Sequence, residues 1–507
     1  MNSPKLLIRN SIYLYIRMIL VLVINLYATR LLLRHLGVDD FGLYNVIGSV
    51  VIFASFLRQA LTNATSRYLT YEIGKGDVKR LNEVYAMAIN SHCILSLILV
   101  VLLEVVGVYF LNNHLTIPAD RLAAANWVLQ FSIATFAVSV IQTPFHSNIV
   151  AHEKMDAYAF ISVAEILFKL LIVISLAYCS VDGLIYYGGM MMLSAFAVFA
   201  MYALYCGLKI KETKYKWHWD NRLVKEFASY SGLSLLVNGA DVGSQQCFSI
   251  FFNQILGLAA NAALGIANQI NSGMLAFTTN MAQAYNPQIL KSYAAGNYSY
   301  FFKLIFATTK ISFILQLLIS VPVVLNIDYI LDVWLGEYPA MTPNLIRVIV
   351  LFYLFDAFQY PLGTAVHANG NIKFHQIMIS SIKLLVIPCF YLVLKATESG
   401  ALAFSVWVVG GLTCAIARTI YMRKLINLDA WAYCKEVVLR IFSLAVIDVV
   451  ITYIVGTLIT SEFQSLLLTT LVSTLVVAIA SVIWVFNEDE KSFLTAIPVI
   501  GKFFNKK

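Results

Sequence analysis

The sequence predicts an all-α polytopic membrane protein of about fourteen transmembrane helices, built as two six-helix lobes in parallel repeat with two further helices after them. Three observations predict it. Apolar runs long enough to cross a bilayer follow one another with short connections, Lys and Arg fall on one side of those connections, and a pattern recurs about 220 residues later.

A hydrocarbon core about 30 Å thick needs roughly 20 apolar residues of helix. The chain of 507 residues is 60% hydrophobic and 12% charged, with a mean hydropathy of +0.78. A soluble domain carries about 25% charged residues, so the connections hold no room for a soluble domain. The net charge of +8 then reads as a topology signal and not as a nucleic-acid surface. Met1–Asn10 is short and basic, and the apolar run behind it contains Arg17 and no small-residue cleavage site, so a cleaved signal peptide is not expected. The seven cysteines show neither a disulfide framework nor metal-ligand spacing.

In order, the runs lie near 12–33, 42–62, 84–111, 122–144, 157–178 and 184–208, the first lobe being 1–208. A basic linker, 209–224, follows. The second lobe, 225–422, holds runs near 228–256, 262–284, 302–325, 345–366, 375–395 and 401–422. Two more, near 437–459 and 466–486, occupy 423–486, and 487–507 is a tail. With the N-terminus in the cytoplasm, the even-numbered connections carry Arg67, Lys75, Lys79, Arg80, Lys154, Lys209, Lys211, Lys214, Lys216 and further cations, whereas the opposite side has Arg34, Arg121, Arg347 and Lys395. The bias is about sixfold and places both termini in the cytoplasm.

The repeat pairs Leu36-Gly37 with Leu256-Gly257, Gly76 with Gly296, and, at nearly the same offset, Pro144 and Ala151 with Pro361 and Ala368. Six spans separate the copies, so they share membrane orientation. The last two spans are expected to pack outside the lobes and to form a groove for a lipid tail.

Charged residues inside spans are the site candidates, because each costs about 2.5–3.5 kcal/mol to insert. They are Arg17, Arg30, Arg58, Lys169, Lys310 and Lys383, with Asn238, Asp241, Gln245 and Asn268 from two unusually polar spans. Two readings stand for each. Cations near helix ends can snorkel to headgroups, and Glu165 and Lys169, four apart on one helical face, can neutralise each other. Alternatively, Arg17, Lys310 and Lys383 line a water-filled cavity suited to an anionic substrate, and the amides line it too, or else they hold helices together. Asp241 is also a candidate cation or proton site. Pro322, Pro361 and Pro388 are placed to bend three spans.

No GxxxxGK[ST] phosphate loop occurs, and His152-Glu153 lacks the second histidine of a zinc helix. Connections this short count against a membrane-bound glycan enzyme, so no catalytic residue, metal or cofactor is expected.

Leu36-Gly37-Val38-Asp39-Asp40-Phe41-Gly42-Leu43-Tyr44-Asn45 resembles the LGxxxyGxY element of Wzx-type polysaccharide flippases, relatives of the MATE exporters and the lipid II flippase. Ala64-Thr65-Ser66-Arg67-Tyr68-Leu69, Gly74-Lys75-Gly76-Asp77, Ala151-His152-Glu153-Lys154-Met155 and the segment Asn286 to Gly296 resemble a branch common in Bacteroidota. The likeness covers essentially the whole chain and transfers no binding residue. It implies a bacterial inner-membrane protein that flips undecaprenyl-pyrophosphate-linked oligosaccharide to the outer leaflet by alternating access of the two lobes. A polysaccharide polymerase and other assembly proteins would be its partners. Without ATP, a proton or sodium gradient or the substrate–product imbalance would drive it. The alternative is a cation-coupled multidrug exporter of the MATE type, for which unpaired intramembrane acids would be more natural than the excess of cations seen here.

Overall fold

Gly37 is where the first long helix bends. The computed structural model runs a helix, α1, from Pro4 to Ile52, and inside it only Gly37 leaves helical geometry, at φ 79° and ψ 175°. The left-handed region is reached there because a glycine has no Cβ to clash. The structure describes residues 4–52, 55–152, 154–210, 215–221, 242–369, 373–488 and 490.

The remaining helices are α2 (Ser55–Lys75), α3 (Val78–Leu102), α4 (Val108–His114), α5 (Leu122–Ala151), α6 (Met155–Ser175), α7 (Gly183–Lys209), α8 (Leu258–Ala294), α9 (Tyr298–Leu325), α10 (Ile327–Trp334), α11 (Thr342–Asp356), α12 (Gln359–Asn369), α13 (Lys373–Thr397), α14 (Gly400–Ile426), α15 (Ala430–Tyr433), α16 (Leu439–Thr457) and α17 (Glu462–Ala480). Residues 242–256 are helical as well. A widened π turn, Leu103–Gly107, joins α3 to α4 without ending the span.

Among the described residues, 10 helices are long and apolar enough to cross a membrane, and 11 if the pair Thr342–Asp356 and Gln359–Val366, bent by 41°, is one span. The bend falls beside Pro361, whereas Pro322 and Pro388 lie inside helices that continue past them. The sequence reading of about fourteen differs where polar helices stand. The run expected at 42–62 is divided between the end of α1 and the polar α2, and the run at 262–284 belongs to α8, whose 37 residues are too polar to qualify. The span expected at 228–256 falls partly outside the described residues.

The chain divides into two compact units. One comprises Met1–Ile266 with two short segments, Glu337–Pro339 and Leu394–Glu398; the other comprises Ala267–Gly336, Ala340–Val393 and Ser399–Lys507. In the first unit α5 packs on α7, α3 and α2, and α1 packs on α6. Its core joins Leu43, Val46 and Ile47 of α1 to Leu99 of α3, Val128, Leu129 and Ile133 of α5 and Leu184 of α7. Residues of the polar region are knitted into it: Ser49 Oγ donates to Ser249 Oγ at 2.8 Å, and the amide of Asn253 both accepts from Thr116 N (2.7 Å) and donates to Thr116 O (3.2 Å). Asn253 and Asn261 are fully buried. Asn253 thus ties its helix to the loop at Thr116, and Asn261 Oδ1 accepts from Ser249 Oγ at 3.4 Å.

In the second unit α9 is central, packed on α11, α12, α16 and α17. Phe301, Ile305, Phe313 and Leu317 of α9 meet Phe358 in the turn before α12, Leu362 of α12 and Leu444 of α16. Asn326, just past α9, donates to Thr469 Oγ1 at 2.9 Å and accepts from Ser465 Oγ at 3.1 Å, which fixes α17 to the end of α9. Asp448 of α16 is buried and accepts from Thr452 and Ser473. Between α9, α11 and α16 runs an apolar groove of about 490 Å³, lined by Phe313, Leu317, Val321, Leu354, Phe442 and Val446 among others.

The repeat seen in the sequence has a conformational counterpart. Gly37 and Gly257 adopt φ 79° and 82°, and Gly76 and Gly296 adopt 75° and 70°. The next residue caps a helix in both copies: Asp77 accepts from Arg80 N at 3.0 Å, and Asn297 accepts from Tyr300 N at 3.2 Å.

Candidate functional site

A cavity of about 710 Å³ lies within the first unit, bounded by α1, α2, α5, α6 and α7. Three helices present it with one face each. On α5 the lining residues are Thr135, Ser139, Gln142 and His146, on α6 they are Tyr158, Ser162, Glu165 and Lys169, and on α7 they are Met191, Ser194, Val198 and Tyr202. Spacings of three or four put each set on one stripe of its helix. The opposite stripe of α6, with Phe160, Leu167, Leu171 and Ile174, is exposed and apolar, as a lipid-facing surface must be.

Among the described residues, two cations and one carboxylate face the cavity. Lys169 Nζ donates to Asn25 Oδ1 of α1 at 2.9 Å, and Glu165 acts electrostatically on both Lys169 and Arg58. Arg58 Nε is buried with no hydrogen-bond partner among the described residues. Nearby, buried His92 on α3 contacts Ala88 O through Nδ1 (2.8 Å), which leaves its Nε2 without a partner among the described residues. An unsatisfied buried donor is expensive, so a guanidinium N–H left open at a cavity wall is poised for an acceptor supplied from outside. Around these charges stand hydroxyls and an amide, and the His146 ring meets Tyr158 and Tyr202 edge-on, with centroids at 5.0 and 5.8 Å. The set suits an anion flanked by hydroxyl-bearing groups: cations offset its lost hydration, hydroxyls and Gln142 replace water around sugar rings, and tyrosines offer flat apolar faces.

The sequence-predicted residues are distributed unevenly. Arg58 and Lys169 line the cavity. Arg30 is exposed on α1, Lys383 is half-buried on α13, and Gln245 and Asn268 are exposed on helical segments. Lys310 is fully buried in the second unit and donates to both carboxylate oxygens of Glu490, at 2.9 and 2.7 Å. That departs from the expectation that it faces a cavity: the nearby acid closes the pair. Arg17 lies in α1, with its side chain outside the described set, and Asn238 and Asp241 lie outside the described residues. The sequence reading missed the contributions of Asn25, His146, Tyr158 and Tyr202, although the polar stripes on α5 and α6 are a signal it could have used.

A second ionic cluster marks the opposite end of the first unit's helices. Arg121, at the start of α5, ion-pairs with Asp40 of α1 and with Asp182, the latter at 2.5 Å. Asp182 also caps α7, accepting from Leu184 N and Ile185 N. One guanidinium thus ties three elements together.

A family model described as MatE matches residues 236–392. No curated protein sequence matches the chain. Solved structures do. The lipid II flippase MurJ in an inward closed conformation superposes with a TM-score of 0.72 at 15% identity, covering 94% of this chain and 98% of that one. A multidrug resistance MATE family transporter of the MOP superfamily, inward-facing, gives 0.66 at 15% identity, covering 83% and 99%. A MOP superfamily transporter from Pyrococcus furiosus, described as having a binding pocket of reverse polarity, gives 0.57 at 15% identity, covering 84% and 96%. At such identities the likeness is one of architecture: the chain has the fold of the MATE and MOP-superfamily transporters.

Proposed function

We propose that this chain is a bacterial inner-membrane transporter that carries a pyrophosphate-linked, undecaprenyl-anchored oligosaccharide from the inner to the outer leaflet by alternating access. The observation that carries the reading is the cavity in which Arg58 and Lys169 outnumber Glu165 among hydroxyls, Gln142 and tyrosines. A diphosphate and its sugars cannot enter hydrocarbon unaided, whereas a polyprenyl tail can stay in it. Two cations drawn from different helices offset the anion's lost hydration, and the hydroxyl-rich wall accepts sugars without demanding one stereochemistry. A proton or sodium ion coupled to the cycle, and a polymerase as downstream partner, belong to the same proposal.

Glu165 supports a second reading, export of cationic compounds, because a carboxylate in the cavity could receive them. A deletion strain separates the two. Loss of surface polysaccharide with accumulation of lipid-linked intermediate supports the flippase, and complementation by Arg58→Gln or Lys169→Gln is expected to fail although the protein is inserted at normal levels. Normal polysaccharide with raised sensitivity to cationic dyes overturns it in favour of the exporter.

A further inference from the structure

Residues 215–221 are held against α3. Asn90, itself buried, spends both ends of its amide on this segment: Nδ2 donates to His218 O and Oδ1 accepts from Tyr215 OH, each at 2.9 Å. Arg80 lies 3.7 Å from Asp220 at the far end. The exposed apolar row of α3 begins at Ile94 and continues through Leu97, Ile98 and Val101. Four residues of helix separate Ile94 from Asn90, about 6 Å of rise, so the segment lies beside the start of the exposed apolar row. There it displays Trp217 and Trp219, 73% and 42% exposed.

An exposed tryptophan pair gains nothing from water, but an amphipathic indole is at home between headgroup and acyl chain. The same stretch carries Lys209, Lys211, Lys214 and Lys216 within eight residues, opposed there by Glu212 alone. One weak signal holds a segment on a bilayer only marginally, whereas aromatic insertion combined with several cations holds it firmly on a charged surface.

We propose that residues 215–221 form a lipid-binding strap that seats Trp217 and Trp219 in the interface, with Lys209 at the end of α7 and Lys216 on the strap recruiting anionic phospholipid headgroups. The strap is independent of what the cavity carries. An acidic protein surface would be a different partner for the same cations, but it would not require the indoles to sit at bilayer depth.

The test uses the full-length protein in lipid nanodiscs. Tryptophan fluorescence is quenched with dibrominated phosphatidylglycerol or dibrominated phosphatidylcholine at equal mole fraction, and subtracting the Trp217→Phe/Trp219→Phe variant isolates the strap's indoles. The expected result is quenching at least about twofold stronger by the anionic lipid, a preference abolished at high salt and by Lys209→Gln/Lys216→Gln. Asn90→Ala, checked for folding by size-exclusion chromatography, is expected to lower quenching by both lipids. Quenching by neither lipid overturns the strap as a membrane element and leaves a protein partner. Equal, salt-insensitive quenching by both overturns the anionic recognition.

Discussion

Lys310 Nζ stands 2.9 and 2.7 Å from the two carboxylate oxygens of Glu490, 180 residues further along the chain, and both side chains are buried. The partner arrives from beyond α17. Around the pair, Glu490 also accepts from Asn487 N, and the Asn487 side chain is shared between Glu436 and Arg440. A buried pair is worth little against a well-packed apolar replacement, but breaking it leaves a charge with no solvent. Glu490→Gln is therefore expected to lower stability by roughly 3–5 kcal/mol, and Lys310→Met/Glu490→Met to restore most of it. Thermal unfolding of the detergent-solubilised protein measures both, and a Glu490→Gln protein as stable as wild type would refute the pairing.

Removing the Arg58 guanidinium takes away charged hydrogen bonds that a cavity-bound anion would receive. The Arg58→Gln protein is expected to bind a soluble sugar-pyrophosphate analogue about 10- to 100-fold more weakly, with its melting temperature nearly unchanged. Glu165→Gln is expected to change affinity in the opposite direction, since it removes the cavity's negative charge. Calorimetric titration reads both, and equal affinities in all three proteins would dissociate the cavity from anion binding.

Asp182 gives a pH dependence. Partial burial pushes its carboxyl up, but the Arg121 guanidinium and the α7 N–H groups outweigh that and hold it below the usual carboxylate range. A depressed folded value means that stability is fully present above the unfolded value, near 4, and is lost as pH falls through the folded one. The melting temperature should fall on acidification below that value, and Asp182→Asn should show a lower plateau with a shallower acid limb. A parallel pair of curves would contradict this assignment.

Backbone contact makes a fourth prediction. A Cβ on Gly42 would lie 2.1 Å from Leu258 O, and one on Gly265 would lie 2.6 Å from Asn45 Nδ2, whereas Gly48 on the same α1 faces open space. Gly42→Ala should destabilise by about 1–3 kcal/mol or more, while Gly48→Ala should be neutral or gain about 0.5–1 kcal/mol from reduced unfolded-state freedom. Unfolding in graded denaturant compares them, and equal effects would contradict the close approach.

The sequence displayed most of the architecture because a bilayer imposes length, apolarity and charge asymmetry at once. The glycines at 37, 76, 257 and 296 were legible as a repeat, and the structure gives all four a positive φ. Polar helices were harder. α2 and α8 carry many polar residues, so the continuous apolar run that betrays a lipid-facing helix is missing. Arg58 and Lys169 stood out as intramembrane charges, yet periodicity could not tell their fate from that of Lys310. What separated them was the position of Glu490, a contact no local pattern encodes.

The same ion pair has a history in time. A ribosome adding about 5–20 residues per second reaches Glu490 roughly 10–40 seconds after Lys310, so each newborn chain carries an ammonium group into the membrane well before its carboxylate exists. A premature stop anywhere between the two leaves that ammonium permanently orphaned, even where the helices before the stop have inserted normally. Chains ending before Glu490 are therefore expected to be less stable in the membrane than chains that carry it, because the buried ammonium lacks this carboxylate.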